Sequence, residues 1–327
     1  MNQQTILVTG GYGCIGAETT KWLLRNSDAS VVICSRTVSD ERTERIFHDV
    51  DRDRLTTVAL DVTDQKELEE LLVDRQVTRV VHLAALQTPD CNAHRRLGLE
   101  INVGGTLNVI EAMKATGLPL ERFVFASSIA VYGPRATYPP GQVPMLAEPN
   151  PVNVYGVWKL AGEHLSKIFH QETSVPTLSI RPGVLYGPGR DAGLTSTPTT
   201  AMKQLALGRA YEIPFRSRQD YLFAPDVGAA IGAAVLEPFT GYGVFTLPSI
   251  TLSTAEIVDS MRRAAAELEL AKNFQITVGR EDVPFICDLD YEPFLMTFPN
   301  VPHTPLDDAV RKSLEVFVEH ARRGWIS

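Results

Sequence analysis

Tyr155 and Lys159 are the residues whose types and spacing first indicate chemistry. They stand four positions apart in a segment, 154–169, whose apolar spacing predicts a helix, so both side chains lie on one helix face. A nearby ammonium favours the phenolate and lowers the pKa of a tyrosine, which is about 10 in model compounds. The pair therefore predicts a tyrosine that acts as a general acid and base.

A glycine-rich segment directly follows the predicted strand 5–8 and opens the predicted helix 13–25. Gly10 permits a tight turn, Gly13 lets the backbone approach a pyrophosphate, and Gly16 lets the helix pack closely on the strand. Free N–H groups at the helix N-terminus, where Cys14 and Ile15 lie, would bind phosphate oxygens. The segment predicts a dinucleotide site; the alternative is a glycine-rich turn without a ligand.

The residues after the second predicted strand, 31–34, bear on cofactor choice. An NAD enzyme usually carries Asp or Glu here to hold the ribose hydroxyls, whereas this chain has Ser35 and Arg36. A guanidinium forms forked hydrogen bonds with a phosphate, so the pair predicts NADP in preference to NAD. The alternative is a solvated Arg36. Asp61 and Val62 follow the third strand and suit an adenine contact, although Asp61 equally suits a cap of the next turn.

Short β-branched runs alternate with helical patterns through the first half of the chain. Apolar strands that are each followed by a helix predict a doubly wound parallel (Rossmann) sheet with helices on both faces. We expect a dinucleotide-binding domain over residues 1–180 and a smaller α+β substrate lobe over 181–327, with 221–247 able to return to the first domain. The predicted strands are 5–8, 31–34, 57–60, 79–83, 122–125 and 177–180, and the helices are 13–25, 66–75, 102–116 and 154–169.

Two later helices have start signals. Ser253 and Glu256 have the spacing of a capping box. Thr304 is predicted to cap a helix that has a proline at its first position, with Asp307 and Asp308 in the first turn.

Composition excludes several classes of protein. The 327 residues include 31 Lys and Arg against 39 Asp and Glu, a net charge of −8, which argues against nucleic acid or an anionic membrane as partner. The most apolar stretch, 227–236, is shorter than the roughly 20 residues of a membrane span. Four scattered cysteines and seven histidines lack metal-ligand spacing. We expect a cytoplasmic protein with no metal.

Further motifs occur in a fixed order along the chain. Ser127 and Ser128 follow the strand 122–125, where cofactor and substrate meet at the carboxyl ends of a parallel sheet. The motifs are the glycine segment, Asp61-Val62, His82-Leu83-Ala84-Ala85, Asn102, Ser128-x-x-Val131-Tyr132-Gly133, Tyr155-x-x-x-Lys159 and Arg181-Pro182-Gly183-Val184-Leu185-Tyr186-Gly187-Pro188. Together they resemble the extended short-chain dehydrogenase/reductase family, the NAD(P)-dependent epimerases and dehydratases, over about residues 4–230.

The resemblance implies roles for individual residues. Tyr155 would be the acid/base, Lys159 would hold the nicotinamide ribose and lower the Tyr155 pKa, and Ser128 would hydrogen-bond the substrate oxygen. Ser127 is the alternative hydroxyl for that hydrogen bond to the substrate, but we expect it to have a structural role instead. Asn102 would stabilise helix geometry near Lys159. The cofactor would contact Gly10, Gly13, Cys14, Ile15, Gly16, Ser35, Arg36, Asp61, Val62, Ala84, Ala85, Tyr155, Lys159, Pro182 and Gly183. The resemblance also implies a homodimer formed by helices 102–116 and 154–169.

Departures from the family pattern bear on the substrate. Ile129-Ala130 replaces the Asp-Glu of dehydratases, which argues against water elimination. Val184 replaces an asparagine that sugar-nucleotide epimerases carry, and Gln219 replaces the arginine that grips their diphosphate. Arg218 is displaced by one residue, which on a strand reverses the face. A small free substrate, such as a sugar, sugar acid or other polyhydroxylated compound, is therefore expected.

Candidate substrate contacts besides Ser128 are Arg190 and Thr195 in a polar loop, together with Arg218 and Tyr186. For Arg190, Thr195 and Arg218 the alternative is an ordinary surface residue, and Tyr186 is balanced between packing and substrate contact.

Three functions compete. The first is an NADP- or NAD-dependent oxidoreductase that acts on a secondary alcohol, ketone or lactol of a small polyol-like substrate. The second is an epimerase that retains its cofactor. The third is a noncatalytic dinucleotide-binding module, although such proteins usually lose the tyrosine or lysine that this chain keeps.

Overall fold

A seven-stranded parallel sheet forms the centre of the computed structural model, which describes residues 4–326. Its strand order is β10-β6-β5-β4-β1-β2-β3, and every neighbouring pair is parallel. The strands are β1 (Thr5–Thr9), β2 (Ser30–Ser35), β3 (Leu55–Ala59), β4 (Arg79–His82), β5 (Arg122–Ala126), β6 (Thr177–Arg181) and β10 (Tyr242–Thr246). The predicted doubly wound fold is confirmed.

Helices cover both faces of this sheet, which explains why strands such as β1 and β5 are buried along their whole length. These helices are α1 (Cys14–Asn26), α2 (Asp40–Phe47), α3 (Gln65–Asp74), α4 (Thr88–Ala93), α5 (Arg95–Leu99), α6 (Gly105–Ala115), α7 (Val154–Thr173) and α9 (Ala224–Leu236). The apolar run 227–236 lies in α9, where Gly228 and Gly232 let the helix pack directly on Glu18 and Trp22 of α1. None of the helices described here is long and apolar enough to cross a bilayer.

A π-helical turn, Glu100–Gly104, joins α5 to α6 without a break. The sequence pattern predicted only one regular helix from residue 102. A π turn adds a residue to the helix and is frequent near functional sites.

The second lobe has its own core, which includes Tyr186, Phe215 and Tyr221. The segment between its strands returns to the large sheet, because α9 packs on α1 and β10 pairs with β6. The lobe contains β7 (Val184–Tyr186), β8 (Tyr211–Arg216), β9 (Arg218–Phe223), β11 (Ile250–Ser253), β12 (Ile276–Asp282), α8 (Thr197–Ala206), α10 (Thr254–Glu267) and α12 (Leu306–Arg322). Helix α11 (Glu292–Thr297) packs instead on β10 of the large sheet, where Phe294 contacts Phe245.

One of the two predicted helix caps is present. Ser253 and Glu256 form the capping box at the start of α10. The Thr304 cap is wrong: α12 begins after Pro305, and Thr304 instead donates its N–H and its hydroxyl to Asp226 at 2.7 and 2.8 Å. Hydrogen bonds to a charged carboxylate are stronger than those between neutral groups, so the contact with Asp226 of α9 decides the role of Thr304.

Candidate active site

A cavity of about 540 Å³ lies at the carboxyl ends of β1, β4 and β5, between the sheet and the second lobe. This volume lies within the range of small-molecule and cofactor sites. It is lined by the predicted residues Gly10, Gly13, Cys14, Ile15, Gly16, Ser35, Ala84, Ala85, Ser128, Tyr155, Lys159, Pro182, Gly183, Arg190 and Thr195. A neighbouring cavity of about 160 Å³ shares part of this wall and is also lined by Arg36, Asp61 and Val62.

The glycine segment forms a tight turn between β1 and α1. Gly10 has φ +70°, and a Cβ there would lie 2.9 Å from the backbone nitrogen of Ala84. A Cβ at Gly16 would collide with the carbonyl oxygen of Gly10, so only glycine lets α1 start this close to the strand. Gly13 donates its N–H to that same carbonyl at 2.9 Å. The backbone therefore leaves an open cradle at a helix N-terminus, which fits the pyrophosphate of a dinucleotide.

Lys159 is buried beneath the cavity, where its Nζ donates to the carbonyl oxygen of Ala126 at 2.6 Å. Burial lowers the pKa of Lys159 to about 8, because it disfavours the ammonium. The ammonium lies 5.7 Å from the ring centroid of Tyr155. The two side chains thus share a helix face, as their spacing predicted.

Burial also raises the pKa of Tyr155, and a hydrogen bond from Ser128 opposes that rise. The lowered Tyr155 pKa expected from Lys159 is not the net direction in this structure, since desolvation of the phenolate outweighs the charges near it. Tyr155 keeps its proton at neutral pH, and Ser128 lies close enough to act on its hydroxyl.

The two serines after β5 have different partners. Ser127 donates its hydroxyl to the buried carboxylate of Glu163 at 2.5 Å. Ser128 begins a short 3₁₀ turn, where its oxygen accepts the N–H of Ala130 at 3.1 Å, and it also contacts Tyr155. This arrangement favours Ser128 as the hydroxyl available to a substrate.

Asn102 lies in the π turn and is buried. Its side-chain amide pairs with the backbone of Leu86, accepting the N–H at 2.8 Å and donating to the carbonyl at 2.9 Å. Asn102 was expected to stabilise helix geometry near Lys159, but its side-chain amide contacts the backbone of Leu86. Asn102 instead fixes the segment Ala84–Leu86 that forms the cavity wall, so it is a positioning residue.

Two arginines flank the side of the cavities near Ser35. Arg36 lines the smaller cavity, and Arg42 of α2 lines the larger one with its guanidinium carbon 4.6 Å from the ring centroid of Tyr12. Sequence reasoning missed Arg42 because α2 was not predicted, although Ser39 followed by two acidic residues is a helix start signal. Asp61 accepts the backbone N–H and the hydroxyl of Thr63 at 3.0 and 2.9 Å, so it caps a turn while also lining the smaller cavity.

The candidate substrate contacts divide into two groups. Arg190 and Thr195 lie in the cavity wall and hydrogen-bond each other at 2.9 Å. Tyr186 is 2% exposed and packs on Tyr221 and Phe223 in the lobe core, so its substrate role is wrong. The substrate contact predicted for Arg218 is not present, because Arg218 is not among the lining residues and its guanidinium lies 3.7 Å from Asp288.

Gln219, the neighbour of Arg218, is fully buried and bonds Ser217 at 2.6 Å. The position that grips a diphosphate in sugar-nucleotide epimerases is therefore unavailable to a ligand.

Comparisons with known proteins show which family this chain is similar to. A family model described as the NAD dependent epimerase/dehydratase family matches residues 6–245. D-erythronate dehydrogenase of Cupriavidus necator is 27% identical over 281 residues, covering 80% of this chain and 82% of the relative. dTDP-L-rhamnose 4-epimerase of Burkholderia thailandensis is 28% identical over 299 residues, covering 80% of each chain.

Among solved structures, UDP-glucose 4-epimerase of Thermotoga maritima superposes with a TM-score of 0.82 at 20% identity, covering 97% of this chain and 100% of the other. A likeness at this identity shows the fold. Because the family model spans well over half of the chain, the protein belongs to the NAD dependent epimerase/dehydratase family and is an enzyme of the extended short-chain dehydrogenase/reductase group.

Proposed function

We propose that the protein is a dehydrogenase that uses NADP in preference to NAD and interconverts a secondary alcohol, or lactol, and the corresponding carbonyl of a small polyhydroxylated substrate. The carrying observation is that Ser128, Tyr155 and Lys159 line the same cavity as the glycine cradle. Gln219 is buried beside Ser217, and Arg218 lies outside the cavity wall near Asp288, so these two positions offer no arginine to a diphosphate in the cavity. This combination favours a substrate without a nucleotide.

The residues of the chain divide the work of proton transfer. A bound nicotinamide would supply hydride exchange at the substrate carbon, and the protein supplies orientation and the proton. In the reducing direction Tyr155 donates its hydroxyl proton to the carbonyl oxygen, which Ser128 holds by a hydrogen bond. In the oxidising direction the phenolate takes the proton of the substrate hydroxyl, and the positive charge of Lys159 stabilises that phenolate.

The proposed preference for NADP depends on charge at the ribose side. Arg36 and Arg42 approach it from the two cavities, and no Asp or Glu follows β2 where a carboxylate would hold the 2′-hydroxyl. A 2′-phosphate would thus meet two guanidinium groups. Asp61 and Val62 would contact the adenine in the smaller cavity.

An epimerase is the second candidate, because it uses the same Ser–Tyr–Lys arrangement and returns the hydride to the other face of the carbonyl. The 28% identity to an epimerase of a deoxythymidine-diphosphate sugar favours it. The two functions differ in cofactor turnover: a dehydrogenase accumulates reduced cofactor, whereas an epimerase does not.

Assembly as a homodimer in the cytoplasm completes the proposal. Large apolar side chains that are between 41% and 49% exposed lie on α6 and α7, the helices expected to form the dimer interface, and on the adjoining α5: Leu107, Val157, Ile168, Leu97 and Leu99. The four cysteines are free, which accords with a reducing compartment. Sedimentation velocity across a hundredfold range of concentration tests the dimer, and a monomer throughout would exclude it.

The experiment for the catalytic assignment incubates the purified protein with pools of sugars, aldonates, uronates and nucleotide sugars plus NADP or NAD. Nicotinamide absorbance and product chromatography are followed for wild type and Tyr155→Phe. We expect net cofactor reduction with a nucleotide-free pool and its loss in the variant, which should still bind NADP. New isomers without cofactor reduction would instead establish the epimerase.

A further inference from the structure

Arg190 lies in the loop between β7 and α8, and its guanidinium reaches into the cavity. Two polar side chains hold it there: Nη1 donates to Gln87 Oε1 and Nη2 donates to Thr195 Oγ1, both at 2.9 Å. Both partners are neutral, so they orient the guanidinium without cancelling its charge. Gln87 belongs to the segment before α4, and the clamp therefore joins the Rossmann sheet to the second lobe.

The guanidinium has binding capacity left over. Arginine has five N–H donors, and the two contacts above use one on each terminal nitrogen. Its Nε is buried and has no partner among the described residues. The second N–H on each terminal nitrogen is not used by Gln87 or Thr195, and a ligand oxygen that accepted it would complete the site.

The cavity wall gives Arg190 no counterion. Its charged residues are Arg42, Lys159 and Arg190, and no Asp or Glu stands among the described lining residues. The adjacent carboxylate, Asp191, is paired with Lys203 outside the wall. A half-buried cation without an anion favours an anionic ligand more strongly than one that is already paired.

The location of this charge connects it to the chemistry. Arg190 is near enough to Tyr155 for its charge to act on the tyrosine pKa, and it acts on Cys14 at the start of α1 as well. The charge of Arg190 thus acts both on the proposed acid/base and at the start of the glycine cradle. The facing part of the wall, Leu194 and Pro284–Ile286, is mostly apolar and offers no competing charge.

We propose that the substrate is a small hydroxy acid and that Arg190, oriented by Gln87 and Thr195, binds its carboxylate while Tyr155 and Ser128 hold the reacting oxygen. This inference rests on the proposed dehydrogenase function and adds the substrate class and the residue that selects it. The planar fork of a guanidinium matches the two oxygens of a carboxylate, and a carboxylate fixed at one end places a hydroxyl-bearing carbon at a set distance from Tyr155.

The experiment compares wild type with Arg190→Met, which removes the charge, and Arg190→Lys, which keeps the charge without the fork. Arg209→Met is the matched control, because Arg209 is exposed and outside the cavity. Each protein is assayed with NADP and four- to six-carbon aldonates and with the corresponding neutral alditols and aldoses. NADPH affinity is measured by fluorescence, and aldonate binding to the protein–NADPH complex by calorimetry.

We expect wild type to prefer the acids and Arg190→Met to lose about 100-fold in kcat/KM for them, with a smaller loss of about tenfold in Arg190→Lys. NADPH affinity should change by less than about twofold, and Arg209→Met should match wild type. A loss of NADPH affinity with an unchanged ratio of acid to neutral turnover would overturn the proposal and assign the anion to a cofactor phosphate. Wild-type turnover confined to neutral polyols would overturn it while leaving the dehydrogenase standing.

Calorimetry separates failure of the inference from failure of the proposed function. If no pool reduces NADP or NAD, the dehydrogenase is wrong. Aldonate binding that disappears in Arg190→Met would then still support the carboxylate site, whereas no aldonate binding to wild type would refute it.

Discussion

Replacing Glu163 by Gln should destabilise the protein far more than the same replacement at another position of the same helix. Glu163 of α7 is buried and forms a bidentate pair with Arg181 of β6, with two contacts of 2.7 Å, and it accepts the hydroxyl of Ser127. Burial alone would lower the pKa of Arg181, but the hydrogen bonds and charge of Glu163 outweigh it and raise that pKa. The variant leaves Arg181 charged and buried without its anion.

The size of the effect follows from this burial. Breaking a buried ion pair by removing one partner costs about 3–5 kcal/mol, a large fraction of the roughly 5–15 kcal/mol by which domains are stable. At about 2.1 cal/mol/K per residue, 327 residues give an unfolding entropy of about 0.7 kcal/mol/K. The melting temperature should therefore fall by about 4–7 °C.

The control is Glu172→Gln, which changes the same charge on the same helix. Glu172 is half-exposed and pairs with Lys114 at 2.8 Å, so its loss should cost about 1 kcal/mol or less. Urea unfolding followed by circular dichroism at pH 7 gives both values. If Glu163→Gln proved as stable as Glu172→Gln, the argument would be refuted that leaving the buried charge of Arg181 unpaired between α7 and β6 costs several kcal/mol.

Three further outcomes are expected. Burial holds the pKa of Lys159 at about 8 against an ordinary 10.5, so its charge penalises the folded state below pH 8 and the penalty is relieved toward pH 10.5. The unfolding free energy of Lys159→Met minus that of wild type should thus fall by about 2–3 kcal/mol between pH 7 and pH 10 in urea titrations, and a constant difference would contradict the lowered pKa. Arg36→Ala and Arg42→Ala should each lower kcat/KM for NADP by about 10- to 100-fold and leave that for NAD within about twofold; equal losses with both cofactors would remove the 2′-phosphate assignment. Gly16→Val should weaken NADP binding by more than about tenfold in fluorescence titrations, because its side chain would displace the Gly10 carbonyl, and unaltered affinity would exclude the cradle.

Local sequence patterns predicted the elements whose form depends on near neighbours. The turn after β1 was predicted because its positive φ at Gly10 favours glycine. The sheet was predicted because strands that are buried on both faces have short, continuous apolar runs in the sequence. Tyr155 and Lys159 were placed together because a helix fixes residues four apart.

Long-range contacts account for the errors. The role of Asn102 depends on Leu86, which lies 16 residues away, and that of Thr304 on Asp226, which lies 78 residues away. Tyr186 was undecided because it is the packing on Tyr221 and Phe223 of β9 that buries it. The Tyr155 pKa was misjudged because spacing shows which charge is near but does not show how far a group is removed from water.

The π turn at Glu100–Gly104 makes the position of the cavity wall depend on the number of residues between α5 and α6. Each residue of a helix turns the next by about 100°, so the extra residue sets α6 out of phase with α5. Deleting one residue there would restore regular helical hydrogen bonds and conserve much of the fold, yet it would rotate Asn102 away from the Leu86 backbone. A frame-preserving deletion of a single codon, which alters no residue type in the site, would therefore act as a loss-of-function change.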